Sequence, residues 1–493
     1  MPTLSTVDLV IVAAYILAMT ALGAAFSRRQ KDRQAYFVGG RNFGWPMILI
    51  SIVATETSAV TFLSVPGTAY NPDGGNFTFL QLAIGYIIGR CLVAALLLPA
   101  YMRGELFSAY QVLNEKFGPA VQRVASGIFL ATRTVADGLR LYLTALVMQY
   151  VGLSIEAAVI VVGVVTIVYT YLGGMKAVLW TDVIQFAIKI AGAVLAGVFV
   201  LLLLPGGWSQ FVEVGSQAGK FTVLNLDPSP AVAYTLWAGV LGGAVFSMAS
   251  HGADQMMVQR YLCARSLGQA RIAVVLSGVV VFVQFALFLA VGVGLYVAKE
   301  AGVFAVGTAT KDEVFGLFIV TKLPVGVVGI LVAAILAAAM STLSSSLNSS
   351  ANAVVTDFYQ PLLPARSETH YVLVSRLFTA LFGVLQILVA LVAHWAGSDR
   401  SVVDRVLAVA GFTTGLVLGL FLLGRFRQPV PGWSAIAGLC TGFCAVLGLW
   451  LPAQFGAPIL AWPWFAPVGA GTTVLVALLA ARASEGRGSR RAV

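Results

Sequence analysis

Charged residues are scarce. Of 493 residues, 10% are Asp, Glu, Lys or Arg, and no stretch stays polar for long enough to enclose a sizeable water-soluble domain. Cysteine is scarcer. Cys91, Cys263, Cys440 and Cys444 all lie in or beside apolar segments, with no CxxC pair and no His/Cys cluster, which excludes a disulfide framework and a zinc finger. The common catalytic signatures are missing too: there is no GxSxG, Walker A or HExxH, and no GxGxxG between a strand and a helix. Neither an enzyme nor an organic cofactor is expected.

What is abundant is apolar. Hydrophobic residues make up 59% of the chain and mean hydropathy is +0.91, which defines an all-α integral membrane protein. A span takes about 20 apolar residues, and about thirteen such stretches follow one another with short polar connections. The whole of 1–493 therefore reads as one membrane domain. The run ending at Ser27 has no basic segment before it and an Arg/Lys cluster after it, so 7–26 is expected to be a retained peripheral helix rather than a cleaved signal.

The net charge of +10 suggests nucleic acid until the charges are located. Arg28, Arg29, Lys31, Arg33 and Arg41 follow the first stretch, Arg103 and Lys116 the third, Lys176 the fifth, Arg260, Arg265 and Arg271 the seventh, and Arg425 and Arg427 the eleventh. Arg482, Arg487, Arg490 and Arg491 fill the tail 482–493, whereas the alternate loops hold only Lys220, Lys299, Lys311, Lys322 and Arg400. Every second loop is basic, which places the N-terminus outside, the C-terminus in the cytoplasm and the chain in a cell membrane with an odd number of spans. The partner of this basicity is the anionic lipid bilayer, not nucleic acid.

The stretch 331–357 breaks the apolar pattern with Ser341, Thr342, Ser344, Ser345, Ser346, Asn348 and Asn352. On a helix turning about 100° per residue, Ser341, Ser344, Ser345, Asn348 and Asn352 fall in one narrow sector. Such a stripe serves either as helix-to-helix glue or as hard, neutral ligands for a bare alkali cation. The span at 46–70 is interrupted by Thr55, Glu56, Thr57, Ser58 and Thr61 and closed by Pro66-Gly67, so an unwound segment lining a cavity is expected near 54–58. Gln81 and Arg90 lie in the next span. Arg133, Asp137 and Arg140 share one face of the fourth, where Asp137 pairs with either arginine simply to neutralise charge within the bundle, or the remaining arginine faces a cavity and suits a solute carboxylate. Asp182 enters the sixth span after the Gly173-Gly174 turn and needs a partner, either Lys189, a helix-cap role or a cation. The span over 233–259 is broken in turn, with Ser247, Ser250, His251, Asp254 and Gln255. Paired broken helices point to an inverted-repeat transporter with a midplane site.

The stretches GGRNFGWPMILISIVATETS, PGTAY, YLGGMKAVLWTDVIQ, DQMMVQRYL and AAAMSTLSSSLNSSANAVVTDFY resemble the sodium/solute symporter family, which includes sodium-coupled sugar, proline, sialic acid and pantothenate transporters. The resemblance runs in order over about 7–425. It implies the leucine-transporter-type fold, with one five-helix repeat over 46–204, its inverted copy over 233–424, and two additional helices over 432–481. It also implies sodium-driven symport of a small-molecule solute; the protein is expected to work as a monomer. The shared sodium site would comprise carbonyls of Ala54, Thr57 and Ala338 and hydroxyls of Ser341 and Thr342. A second site would use Asp182, Ser341, Ser344 and Ser345, giving two Na+ as coupling ions.

Sugar-carrying relatives have Gln and Asn where this chain has Leu407 and Ser247, which disfavours glucose or galactose. Ser58, Thr61, Gln81 and Arg133 or Arg140 suit a carboxylate, Glu56 suits an ammonium, and Ser247 and His251 complete the expected solute site. A small carboxylate or amino-acid-like solute is the leading expectation. The rivals are a proton-coupled or sugar symporter of the same fold and a non-transporting membrane sensor.

Overall fold

The computed structural model describes residues 4–27, 32–149, 152–307, 309–396, 413, 415–426, 428–456 and 459–490. Among them all regular structure is helical; the single β-type pairing is an isolated bridge between Phe43 and Ala264. The helices used below are α1 (Thr6–Ser27), α2 (Trp45–Glu56), α3 (Ala59–Tyr70), α4 (Leu80–Leu92), α5 (Pro119–Gln149), α6 (Ile155–Leu203) and α7 (Gly207–Gln217). They continue as α8 (Gly243–Gly252), α9 (Gln255–Leu262), α10 (Leu267–Glu300), α11 (Val327–Val354), α12 (Glu368–Trp395), α13 (Gly432–Gln454) and α14 (Phe465–Arg490).

By length and composition, eight described helices can cross a bilayer, or nine if the bent pair α2 and α3 counts as one span. The shortfall from thirteen has physical causes. Charges on α5 lower its hydropathy, α6 contains two of the expected stretches end to end, and the seventh is divided between α8 and α9. The first half of the expected span over 404–424 lies outside the described residues, and with it Leu407. Arg28, Arg29, Lys31, Arg400, Arg427 and Arg491 lie outside them as well.

Helix α11 is the axis of the molecule: 89% of its apolar window is buried by protein, against 17% for α1. Asp8 of α1 accepts hydrogen bonds from the amides of Gly326 and Gly329 at 2.8 and 2.7 Å. An anion there satisfies donors at the start of α11 and complements its dipole. The peripheral helix is thereby pinned to the central one.

Between α2 and α3 the chain bends by 67°. Thr57 leaves the helical region (φ −80°, ψ 81°) and Ser58 caps α3, its hydroxyl accepting from the Thr61 amide. The break thus falls within the expected segment. Pro66-Gly67, expected to close the span, instead lies inside α3, which continues to Tyr70. The segment is closely packed there: a Cβ on Gly67 would come within 2.0 Å of the Lys311 carbonyl oxygen, and one on Gly292 within 1.9 Å of the Pro66 oxygen. In α6 the expected glycine turn is a kink at Gly174 (φ 55°, ψ −156°), where an added Cβ would meet the Tyr36 carbonyl at 2.8 Å. Gly174→Ala is therefore expected to cost about 1–3 kcal/mol, read as a lower melting temperature of the purified protein in detergent.

Candidate functional site

The five expected ligands of the shared sodium site do come together where the broken span meets α11. The Ser341 hydroxyl points at the Ala54 and Ala338 carbonyls at 2.9 and 3.2 Å. That of Thr342 reaches Thr55 O at 2.9 Å and Ala338 O at 3.3 Å. A protein cation stands among them. The Nζ of Lys189, on α6, donates to Ala54 O at 2.5 Å, to Thr57 O at 3.1 Å and to the Ser341 hydroxyl at 3.3 Å. An ammonium has three N–H donors, and all three are used. Lys189 is fully buried, and among the described residues no carboxylate lies within ion-pair reach of it.

The expected second site is also different in detail. Asp182 pairs with Arg260 (Nη2 to Oδ2, 3.2 Å) rather than with Lys189. Its Oδ2 also accepts from the Ser51 hydroxyl. Arg260 further bonds the Ser51 hydroxyl at 2.9 Å, Met256 O at 2.7 Å and the hydroxyls of Thr55 and Ser345. Ser344 turns back to Ser341 O at 3.3 Å within its own helix. Arg260, read from the sequence as a cytoplasmic loop charge, is 1% exposed. The guanidinium fork satisfies several hydroxyls at once, which is why it can sit there. One atom is left over: Asp182 Oδ1 is buried without a hydrogen-bond partner.

Beside the break lies a cavity of ≈ 250 Å³. Of the expected solute residues, Glu56, Ser58, Thr61, Arg133, Arg140 and His251 line it. Gln81 and Ser247 do not. The amide of Gln81 is spent on Tyr234 O at 3.1 Å and on the Asn225 N–H at 3.2 Å, fixing the loop that follows α7. Ser247 donates to Tyr86 O at 3.1 Å, sealing α8 against α4. The expected free arginine is absent as well, because each has a carboxylate. Arg140 pairs with Asp137, and Arg133 pairs with Asp254 and lies 3.7 Å from Asp137. Glu56 is taken by Arg90, with His251 Nε2 at 3.6 Å. The cavity wall is thus close to neutral, as burial of charge in a membrane requires. Arg140 engages Asp137 through Nη1 and Arg133 engages Asp254 through Nη2, so each guanidinium keeps further N–H groups on the α5 face.

Thr55, Arg90, Lys189, Asp254 and Arg260 are therefore the polar side chains of this cluster that the sequence did not mark as site residues. For Lys189 and Arg90 the available signal was simple: a charge inside an apolar helix is expected to have a function or a partner.

A broken helix, a central hydroxyl-rich helix and a small polar cavity beside them define a membrane transporter. Residues 36–442 match the Sodium:solute symporter family, and the chain belongs to that family. It is 29% identical over 453 residues to the sodium/iodide cotransporter of Homo sapiens, covering 90% of this chain and 69% of that one. To the sodium/sialic acid symporter of Proteus mirabilis it is 29% identical over 446 residues, covering 88% and 87%. The solved substrate-bound, outward-open structure of a Na+-coupled sialic acid symporter superposes with a TM-score of 0.87 at 27% identity, covering 97% of this chain and 98% of that one. These relatives are transporters coupled to sodium, not enzymes.

Proposed function

We propose that this protein imports a small organic anion, a carboxylate in the first instance, by sodium-driven symport. The observation that carries the reading is the cavity at the break between α2 and α3, lined by two guanidinium groups from one face of α5. Iodide and sialic acid, named for two relatives, support an anionic solute. Sodium enters beside Asp182, whose Oδ1 is buried without a hydrogen-bond partner.

The mechanism is alternating access. Sodium orders the junction of α2, α6 and α11, the solute binds against that ordered break, and the two leave on the other side. Coupling is a linkage: sodium raises solute affinity, and solute raises sodium affinity by the same factor. One charge moved across 100 mV supplies about 2.3 kcal/mol. The same proposal takes 1–493 as one transport domain of thirteen spans with inverted repeats over 46–204 and 233–424. The N-terminus lies outside, the C-terminus in the cytoplasm, and a monomer in the cell membrane suffices.

The test is thermal stability of purified protein in sodium and in choline, against small carboxylates, their amides, amino acids and sugars. A bound ligand at one hundred times Kd adds about 2.7 kcal/mol. Carboxylates are expected to stabilise in sodium and not in choline. Equal stabilisation in both buffers would remove sodium from the mechanism, and a response to sugars alone would remove the anion.

A further inference from the structure

We infer that the Lys189 ammonium is a built-in cation that holds the place of one coupling ion. The oxygen cage formed by Ala54, Thr57, Ala338, Ser341 and Thr342 then takes no sodium. The inference rests on the cation-coupled reading above but concerns a different site from the one at Asp182.

The geometry leaves little choice. Nζ stands 2.5 Å from Ala54 O and within hydrogen-bond reach of Thr57 O and the Ser341 hydroxyl. A sodium ion contacting the same three oxygens would have to occupy nearly the same point. It would also set a second positive charge against the first, in a buried place with no carboxylate at Nζ among the described residues. The acceptors are one free-ended carbonyl pair at the helix break and one hydroxyl of the facing helix, a set that suits a monovalent cation of either kind. The lysine stem explains the address: Lys189 lies seven residues, about two turns, beyond Asp182 on the inner face of α6. At Gly192 an added Cβ would already sit 2.9 Å from Ala334 Cβ, so α6 lies close against α11 and delivers the amine between α2 and α11.

A tethered cation changes what the site does. A diffusible ion ties the broken span to α11 only while it is bound, and its departure loosens them. The ammonium maintains that tie in any external sodium concentration, so the sodium dependence of transport comes from the Asp182 region alone. The two ions that the family resemblance implies become one ion and one side chain.

The experiment is the number of sodium ions bound per protein, measured with radiolabelled sodium at saturation on purified protein, for wild type, Lys189→Ala and Lys189→Met. Melting curves for each confirm that it is folded. Lys189→Ala empties the cage and is expected to bind one sodium ion more than wild type. Lys189→Met fills the volume without the charge and reports the cost of the lost hydrogen bonds. Two ions in wild type, or the same number in wild type and folded Lys189→Ala, would overturn the inference while leaving sodium-driven symport standing. No ion in wild type with one gained in Lys189→Ala would support the built-in cation and overturn sodium binding at Asp182. If Lys189→Ala does not fold, the wild-type count decides: one ion or none supports the inference, and two overturns it.

Discussion

Replacing Asp182 by Asn is expected to destabilise the protein by about 3–5 kcal/mol, the cost of leaving a buried partner charge uncompensated. The stranded charge is Arg260, which is 1% exposed and has no second carboxylate among its described contacts. Its bonds to Met256 O and to the hydroxyls of Ser51, Thr55 and Ser345 solvate the guanidinium without neutralising it. Asp182→Asn combined with Arg260→Gln removes both charges together and should recover most of the loss. Unfolding of the two single variants and the double variant in detergent gives the interaction energy as a cycle. Sodium response is the second readout. The double variant should be stable and should no longer be stabilised by sodium, because the carboxylate whose Oδ1 is left without a hydrogen-bond partner has been replaced by a neutral amide. If Asp182→Asn alone melts like wild type, the Arg260 pair contributes little, and a sodium-only role for Asp182 follows.

That result bears on what could be read from the chain. Local chemistry was legible: the Thr and Ser interruption at 55–58 coincides with the observed break, and the hydroxyls of 341–342 face the carbonyls of 54–55. Each follows from short-range rules about broken helices and polar stripes. Partners separated by long stretches of sequence were not legible. Asp182 meets Arg260 rather than Lys189, although Lys189 shares its helix, because an i, i+7 pair is about 10 Å apart along the axis. Arg133 finds Asp254 from another broken helix, and Glu56 finds Arg90. Charge counting along loops assigned Arg260 to the aqueous side for the same reason: it lies next to a loop in sequence, but the short helix α9 turns it inward. Gln81 and Ser247 had side chains suited to a solute, and packing gave them to backbone groups instead.

Removing the guanidinium of Arg140 is expected to raise the solute concentration for half-maximal uptake by roughly 10- to 100-fold, since a hydrogen bond to a charged group is worth about 1.5–3 kcal/mol. Arg140→Gln takes away the hydrogen bond to the buried Asp137 and leaves it only Arg133 at 3.7 Å, so its melting curve is read beside uptake and only a folded variant reports solute affinity. Arg133→Gln is the contrasting variant. It leaves Asp254 without its arginine, and Asp254 caps α9 by accepting from the Met256 amide at 2.8 Å, so that variant should lose stability before it loses affinity. Arg140→Lys keeps the charge but not the planar fork, and should lie between wild type and Gln for a carboxylate. The decisive comparison uses the amide of the same solute. If Arg140 meets the carboxylate, wild type and Arg140→Gln should transport the amide with similar affinity. A loss as large for the amide as for the acid would mean that Arg140 shapes the cavity through Asp137 and does not contact the solute.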